Sequence, residues 1–284
     1  MLHPPVRVRM APSPTGYVHL GSARTMLFNL LFARHHEGVM VLRVDDTDTE
    51  RNRAEYEQTI YAGFGWLGLE WDEGPDKGGP NGPYRQSERL DRYRELAAQL
   101  LRRGGAYRCY CTKEELDRER EQARRAGVPY RYSRRCLLDP PKNRTEFAVR
   151  LRVPEGETRF TDLIRGDLTF QNETFGDPVI VRTDGGPLYN FTSTADDVDM
   201  EITHVIRGEE HLSNTPIQLM LFDALGSPRP KAFAHLPVIV GSDQKKLSKR
   251  RHPEVRLSLY EEQGYLPQAL LNYLALLGWN PGTE

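Results

Sequence analysis

The sequence predicts an α/β protein: a parallel sheet flanked by helices, interrupted by an α+β insertion and followed by a helical segment. Three observations predict it. Val6–Met10 alternates apolar and charged residues as a strand does, and a loop holding two prolines and Gly16 leads into Ala23, Met26, Leu27, Leu30, Leu31 and Ala33 at helical spacing. Strand and helix alternation continues to Gly104-Gly105 and resumes near Thr192. Between them, from about Ala106, a charged helix and short alternating strands give a different texture. The chain divides accordingly into residues 1–105, 106–190, 191–251 and 252–284.

Taken in order, the first helix runs to about Arg34, and Val39–Val44 is a buried strand ending at the polar edge Asp45–Asp48. Glu55 to Phe64 reads as a helix, Gly74 to Pro83 as a loop, and Asp91 to Arg103 as an amphipathic helix stopped by Gly104-Gly105. In the insertion, Lys113 to Arg125 is a charged helix, and Ala148–Val153, Asp167–Phe170 and Val179–Arg182 are strands. The second half of the sheet supplies strand Thr203–Arg207, helix Thr215–Leu225 and strand Phe233–Val240. Helical segments follow at Leu257–Gln263 and Pro267–Leu277. In an open parallel sheet, ligands bind outside the carboxyl ends of the strands.

The 284 residues can bury a large core and form two or more domains. Lys and Arg number 39 against 40 Asp and Glu, a net charge of −1, so binding to nucleic acid requires the cations to be segregated onto one face. The clusters Arg118–Arg125, Arg131–Arg135 and Lys245–Arg251 permit this, although such runs also suit a solvated helix. No stretch is apolar enough for a membrane span, and Asp45, Asp46 and Asp48 follow too early for a targeting peptide, so a cytoplasmic protein is expected. The odd count of three cysteines argues against a disulfide framework.

A strand–loop–helix start aims unpaired backbone N–H groups at the space over the loop, where phosphate is the usual occupant. Alone, His19-Leu20-Gly21-Ser22 would read as a turn into a core helix, and Lys245–Arg251 as a solvated basic loop. Together they resemble the His-Ile-Gly-His and Lys-Met-Ser-Lys-Ser signatures of class I aminoacyl-tRNA synthetases, matched as His19–Ser22 and Lys246–Arg250. Ala11–Gly16, Arg43–Asp48, Gly79–Arg89, Val205–His211 and Gly264–Trp279, in this order along the chain, resemble bacterial glutamyl-tRNA synthetases.

That resemblance implies a Rossmann-like catalytic sheet (1–105 and 191–251), an inserted connective domain that grips the tRNA acceptor end (106–190), and the start of a helical stem-contact domain (252–284). It implies ATP and L-glutamate as substrates, tRNA as partner, magnesium, and a monomer. Full-length relatives continue into an anticodon-binding region, so the chain is expected to be a truncated piece or a natural short form. In the implied chemistry His19, Lys246 and Lys249 are catalytic, and His19, Gly21, Ser22, Glu209, Lys246 and Lys249 bind ATP. Gly21 would let the nucleotide approach the backbone. Arg9, Ser13, Asp45, Tyr189 and Arg207 bind glutamate, the arginines through guanidinium forks that an amide cannot match. Structurally, either arginine could instead be the ion-pair partner of a neighbouring carboxylate.

Three departures stand out. Asp45 occupies a position where the family usually has Glu, Val198 one where relatives often have His, and Arg251-His252-Pro253 replaces a His-Gly. Cys109, Cys111, Tyr132 and Cys136 resemble a zinc knuckle found in some family members. Three thiolates and a tyrosinate can complete a tetrahedron, with three reduced cysteines as the alternative. Two other functions remain: a glutamyl-queuosine paralogue that modifies a tRNA base, and a non-catalytic tRNA-binding relative. Intact Lys246–Arg250 and the presence of Gly264–Trp279 weigh against the first, and retention of His19 and the lysines against the second.

Overall fold

The computed structural model describes residues 5–48, 50–241, 255–280 and 282. β1 (Arg7–Met10), α1 (Leu20–His35) and β2 (Val39–Leu42) form a right-at-the-start βαβ unit, with β1 and β2 parallel in register Arg7↔Val39 to Met10↔Leu42. α1 lies on this pair and buries Leu20, Ala23, Met26, Leu27 and Ala33. Its return into β2 is tight enough that a Cβ on Gly38 would strike Val6 O. The alternation in β1 does not mark a half-exposed strand. All four residues are buried, because each arginine takes a carboxylate inside with it: Arg7 binds Glu73 at 2.8 and 2.9 Å, and Arg9 binds Asp197.

After α2 (Ala54–Trp66) and α3 (Leu90–Arg103) comes a three-stranded antiparallel sheet, β3 (Ala106–Cys109), β4 (Ala148–Leu151) and β7 (Val179–Val181). α3 ends where Gly104 adopts φ 72°, which suits a residue without a Cβ. Between β3 and β4 lie α4 (Lys113–Arg125), opened by a Thr112–Glu115 capping box, and the short α5 (Arg135–Leu138). Between β4 and β7 the chain leaves this sheet as the hairpin β5 (Glu157–Asp162) and β6 (Gly166–Gln171). β5 was not expected from the sequence. Its outer positions are charged or polar, and only alternate residues turn inward.

α6 (Tyr189–Asp199), β8 (His204–Gly208), α7 (Thr215–Leu225) and β9 (Ala232–Leu236) complete the α/β half. β8 and β9 are parallel, and β5 joins β9 through Asp162↔Phe233, giving the order β6-β5-β9-β8. β8 lies beside β1, where Arg7 N–H donates to Thr203 Oγ1 (2.8 Å) and Thr203 N–H to Arg7 O (2.9 Å). The carboxyl ends of β1, β8 and β9 thus face one side. α8 (Leu257–Glu262) and α9 (Pro267–Leu276) follow, and α9 packs Leu270 and Leu274 into the core that α1 covers. Among the described residues no helix is long and apolar enough to cross a membrane.

Candidate active site

A cavity of about 470 Å³ opens at those strand ends. Its wall includes Arg9, Ser13, His19, Gly21, Ser22, Tyr189 and Arg207, so seven residues separated by up to 198 positions in sequence meet in one space. Met10, Gly208 and Leu236, the last residues of β1, β8 and β9, also line it, as expected for an open parallel sheet. Asp45 and Glu209 are not on this wall. Lys246 and Lys249 lie outside the described residues.

His19 is the N-cap of α1, in an extended conformation, and its Nδ1 accepts from Ser22 N–H at 3.2 Å. Helix N-termini present donors that no backbone carbonyl satisfies, and here the imidazole takes one of them. With Nδ1 accepting, neutral His19 carries its proton on Nε2, which lies 3.2 Å from Ser22 Oγ. The helix opens at Leu20, one residue before the Gly21-Ser22 opening that the sequence suggests. Gly21 has a local reason to be glycine: a Cβ there would come 3.1 Å from His19 Nδ1, so its absence makes room for the ring.

Arg9 and Arg207 both face the cavity, but they are held differently. Arg9 donates Nε and Nη2 to the Asp197 carboxylate, at 3.1 and 3.4 Å. Arg207 forms no ion pair with any carboxylate among the described residues. Its Nε donates to His235 Nε2 (3.1 Å), Nη1 to Gln218 Oε1 (2.8 Å), and Nη2 to Thr215 Oγ1 (2.7 Å) and His211 O (3.3 Å). Burial among these neutral acceptors lowers its pKa. The same burial, with the Arg207 charge, pushes His211 and His235 down to about 4, so both are neutral near pH 7. These bonds occupy both forks of Arg207 and one of the two on Arg9. Arg9 gives its Nε and Nη2 edge to Asp197 and keeps three N–H groups, among them an Nη1–Nη2 pair, while Arg207 gives four of its five N–H donors to His235, Gln218, Thr215 and His211 and has Tyr189 within hydrogen-bonding reach.

Asp45 sits behind the wall. Both its oxygens accept from Arg43, at 2.7 and 3.4 Å, and burial, outweighing the Arg43 attraction, pushes its carboxyl up to about 6. Arg43 itself is fully buried and also pairs with Asp196 and Asp197. Glu209 accepts from Val238 N–H (2.9 Å) and pairs with Arg165, while its neighbour Glu210 is the one on the wall. Val198, where relatives often have His, lies in α6 between Asp197 and Asp199.

Several contributors were not singled out from the sequence: Arg43, Asp162, Asp197, Gln218 and His235. For Arg43, Gln218 and His235 the signal is a charged or polar residue in a mostly apolar stretch, as in Phe233-Ala234-His235-Leu236, whereas Asp162 and Asp197 lie in polar elements that give none. Such a residue also fits an ordinary core position, so the signal does not separate the two.

In the three-stranded region, the Sγ atoms of Cys109, Cys111 and Cys136 lie within 4.8 Å of one another. Tyr132 Oη is 3.4 Å from Cys109 Sγ and 3.2 Å from Cys111 Sγ. Zinc–sulfur bonds of about 2.3 Å place tetrahedral ligands about 3.8 Å apart, so the four side chains fit that ion. Without a cation, burial pushes Cys111 up to about 11 and Tyr132 far above its usual range. A bound dication reverses that preference. Arg135 Nε, 3.1 Å from Cys111 Sγ, and Arg150, over the Tyr132 ring, offset the excess negative charge of such a set.

The parallel sheet with its histidine-capped helix and two buried arginines at the strand ends has the fold of a class I synthetase catalytic domain. The chain belongs to the family described as "tRNA synthetases class I (E and Q), catalytic domain", whose match spans residues 5–284. Among curated relatives it is 54% identical to the glutamate–tRNA ligase of Moorella thermoacetica and 53% identical to that of Aquifex aeolicus, each over 287 residues. These alignments cover 98% of the chain and 58% of each relative. Among solved structures, a glutamate tRNA ligase from Elizabethkingia meningosepticum in complex with its amino acid superposes with a TM-score of 0.89 at 38% identity, covering 98% of this chain and 62% of that one. The chain therefore spans about three fifths of the length of the relatives it matches.

Proposed function

We propose that this chain is the catalytic part of an enzyme that joins L-glutamate to tRNA at the expense of ATP, through a glutamyl-adenylate. The observation that carries the reading is Arg207: a buried cation without a carboxylate partner among the described residues, in the wall of a cavity that also holds Arg9 and the His19 cap. A buried charge is costly unless paired, and an anionic side chain entering the cavity pairs it. The substrate carboxylate takes the Nη donors that Arg9 does not give to Asp197 and lies beside Arg207, whose charge it balances. Glutamine, whose amide has a single acceptor oxygen and carries no charge, loses most of this attraction. Ser13 and Tyr189 supply further hydrogen bonds.

In the first step an oxygen of the glutamate α-carboxylate attacks the α-phosphorus of ATP, and the bond to pyrophosphate breaks. The terminal ribose hydroxyl of tRNA then attacks the acyl carbon, and AMP leaves. His19 Nε2–H donates to a phosphate oxygen beside the α1 N-terminus, where Gly21 and Ser22 lie. Lys246 and Lys249 hold the departing pyrophosphate, Glu209 serves the nucleotide side through its bond to Val238 N–H, and Asp45 acts on the substrate amino group from behind the wall. Magnesium accompanies ATP and screens its phosphates. Residues 1–105 and 191–251 form the catalytic domain, 106–190 the connective domain for the tRNA acceptor end, and 252–284 begin the stem-contact domain. Zinc at Cys109, Cys111, Tyr132 and Cys136 ties β3 to α5, and metal analysis at one zinc per chain tests it. A cytoplasmic monomer completes the reading.

ATP–pyrophosphate exchange tests the activity, run with glutamate, with and without total tRNA, beside His19→Ala. Exchange that needs both glutamate and tRNA and vanishes in the variant supports the proposal. Exchange with glutamate alone points to the queuosine paralogue, and none under either condition to a binding module.

A further inference from the structure

We infer that Asp162 and His235 are positioning residues for Arg207: Asp162 fixes the tautomer of His235, and His235 fixes the rotation of the guanidinium in the cavity wall. The inference deepens the glutamate reading above and rests on it. Three neighbouring strands carry the three residues. Asp162 ends β5, His235 is the fourth residue of β9, and Arg207 lies opposite His235 in the β8–β9 register. All three are at most 5% exposed.

The chain of bonds has one consistent proton arrangement. Asp162 accepts four donors: His235 Nδ1 at 2.6 Å, His235 N–H at 3.1 Å, and the N–H groups of Ile164 (2.9 Å) and Arg165 (3.0 Å). Burial opposes its charge, but the His235 bond and these backbone donors outweigh it and hold Asp162 below its usual range. An ionised carboxylate only accepts, so His235 Nδ1 carries the proton. At the other side of the ring, Nε2 accepts from Arg207 Nε at 3.1 Å and lies 3.1 Å from Thr215 Oγ1, which accepts from Arg207 Nη2 and has its own hydroxyl proton to give to Nε2. A guanidinium only donates, so Nε2 must be bare. The ring is thereby committed at both nitrogens. Phe233 stacks beside it, with centroids 6.3 Å apart, and Phe160 lies at 6.4 Å, so the ring is flanked by apolar surface where a substituting water would need polar partners.

The consequence falls on the cavity. With Nε anchored at His235 and three further donors held by Gln218, Thr215 and His211 O, the guanidinium plane is fixed in the cavity wall beside Tyr189. Were the proton on Nε2 instead, it would face the Arg207 Nε–H and could go only to Thr215 Oγ1, and the guanidinium would lose its anchor on the ring. The side chain that reads the substrate carboxylate is thus oriented from β5, a strand that lies between β4 and β7 in sequence.

The test uses the full 284-residue chain, its Asp162→Asn and His235→Gln variants and the double variant. Long-range proton–nitrogen NMR of 15N-histidine protein reads the tautomer, and pyrophosphate exchange with total tRNA reads KM for glutamate and for ATP. Expected are a bare Nε2 in the wild type and its protonation in Asp162→Asn. In that variant KM for glutamate rises about tenfold, the scale of one misaligned charged hydrogen bond, while KM for ATP is unchanged. Gln at 235 can place an acceptor near the Nε2 position without a tautomer to set. The expectation is that His235→Gln keeps most of the glutamate affinity and that adding Asp162→Asn causes no further rise. A protonated Nε2 in the wild type, equal shifts in both KM values, or a full Asp162→Asn effect in the His235→Gln background would each overturn the inference. Absence of glutamate-dependent exchange in the wild type overturns the glutamate reading instead, and the tautomer alone then decides the positioning.

Discussion

Two arginines at the centre of the molecule are equally hidden and oppositely treated. Arg43 is fully buried and meets Asp45 at 2.7 Å, Asp197 at 2.7 Å and Asp196 at 3.6 Å. Arg207 is as deep but is held by an imidazole, an amide, a hydroxyl and a carbonyl, with no carboxylate among the described residues. Around Arg43 the charges are settled within the protein: Arg9, Arg89, Gln86 and Tyr93 satisfy the remaining oxygens of Asp196 and Asp197. Around Arg207 the hydrogen bonds are nearly complete and the charge is not. A structural network balances both, whereas a binding site leaves one unbalanced for its ligand.

Breaking the balanced side should have the largest effect. Arg43→Met strands Asp45 and takes one cation from Asp196 and Asp197, and loss of one partner from such a network costs about 3–5 kcal/mol. Urea unfolding should show that loss directly, and a variant as stable as the wild type would mean that the carboxylates are not charged in the folded protein. Arg207→Gln attacks the other side. It should lower kcat/KM for glutamate by about 100-fold, the scale of removing one member of a buried ion pair. Its melting temperature should fall far less than that of Arg43→Met, since no carboxylate of the protein loses a partner. A comparable drop in both would erase the distinction drawn here.

The smallest effect concerns the imidazole beside Arg207. Burial and that charge hold His235 down to about 4, against about 6.5 in the unfolded chain. The unfolded state therefore binds this proton first, and the stability contributed by neutral His235 is full above about pH 6.5 and is lost as pH falls toward 4. His235→Gln lacks the proton. Its stability deficit relative to the wild type should narrow across that window, measured by urea unfolding at several pH values. His211 and Asp45 titrate in the same range but are present in both proteins.

Where burial followed apolarity, the sequence was legible. α7 occupies Thr215–Leu225 and α4 Lys113–Arg125, the limits that periodicity, caps and charge pattern predict. Legibility failed where polar residues are the core. α6 buries Thr192, Ser193, Thr194, Asp196 and Asp197, and no apolar stripe announces a helix whose inward face is made of hydroxyls and carboxylates. β5 escaped notice for a related reason, since its last residue, Asp162, is a buried anion.

The sequence by itself determined the family, the alternation of strands and helices, and seven of the residues, from Arg9 to Arg207, that line one cavity. Those are properties of residue type, spacing and order. Only the tertiary structure decided which arginine is already neutralised, that one edge of Arg9 faces Asp197, and that Asp45 is turned onto Arg43 and off the wall. Charge compensation acts through space at a few ångströms, and Arg9 and Asp197 are 188 residues apart in the chain. No local pattern carries that pairing, so the difference between a structural cation and a ligand-seeking one exists only in the fold.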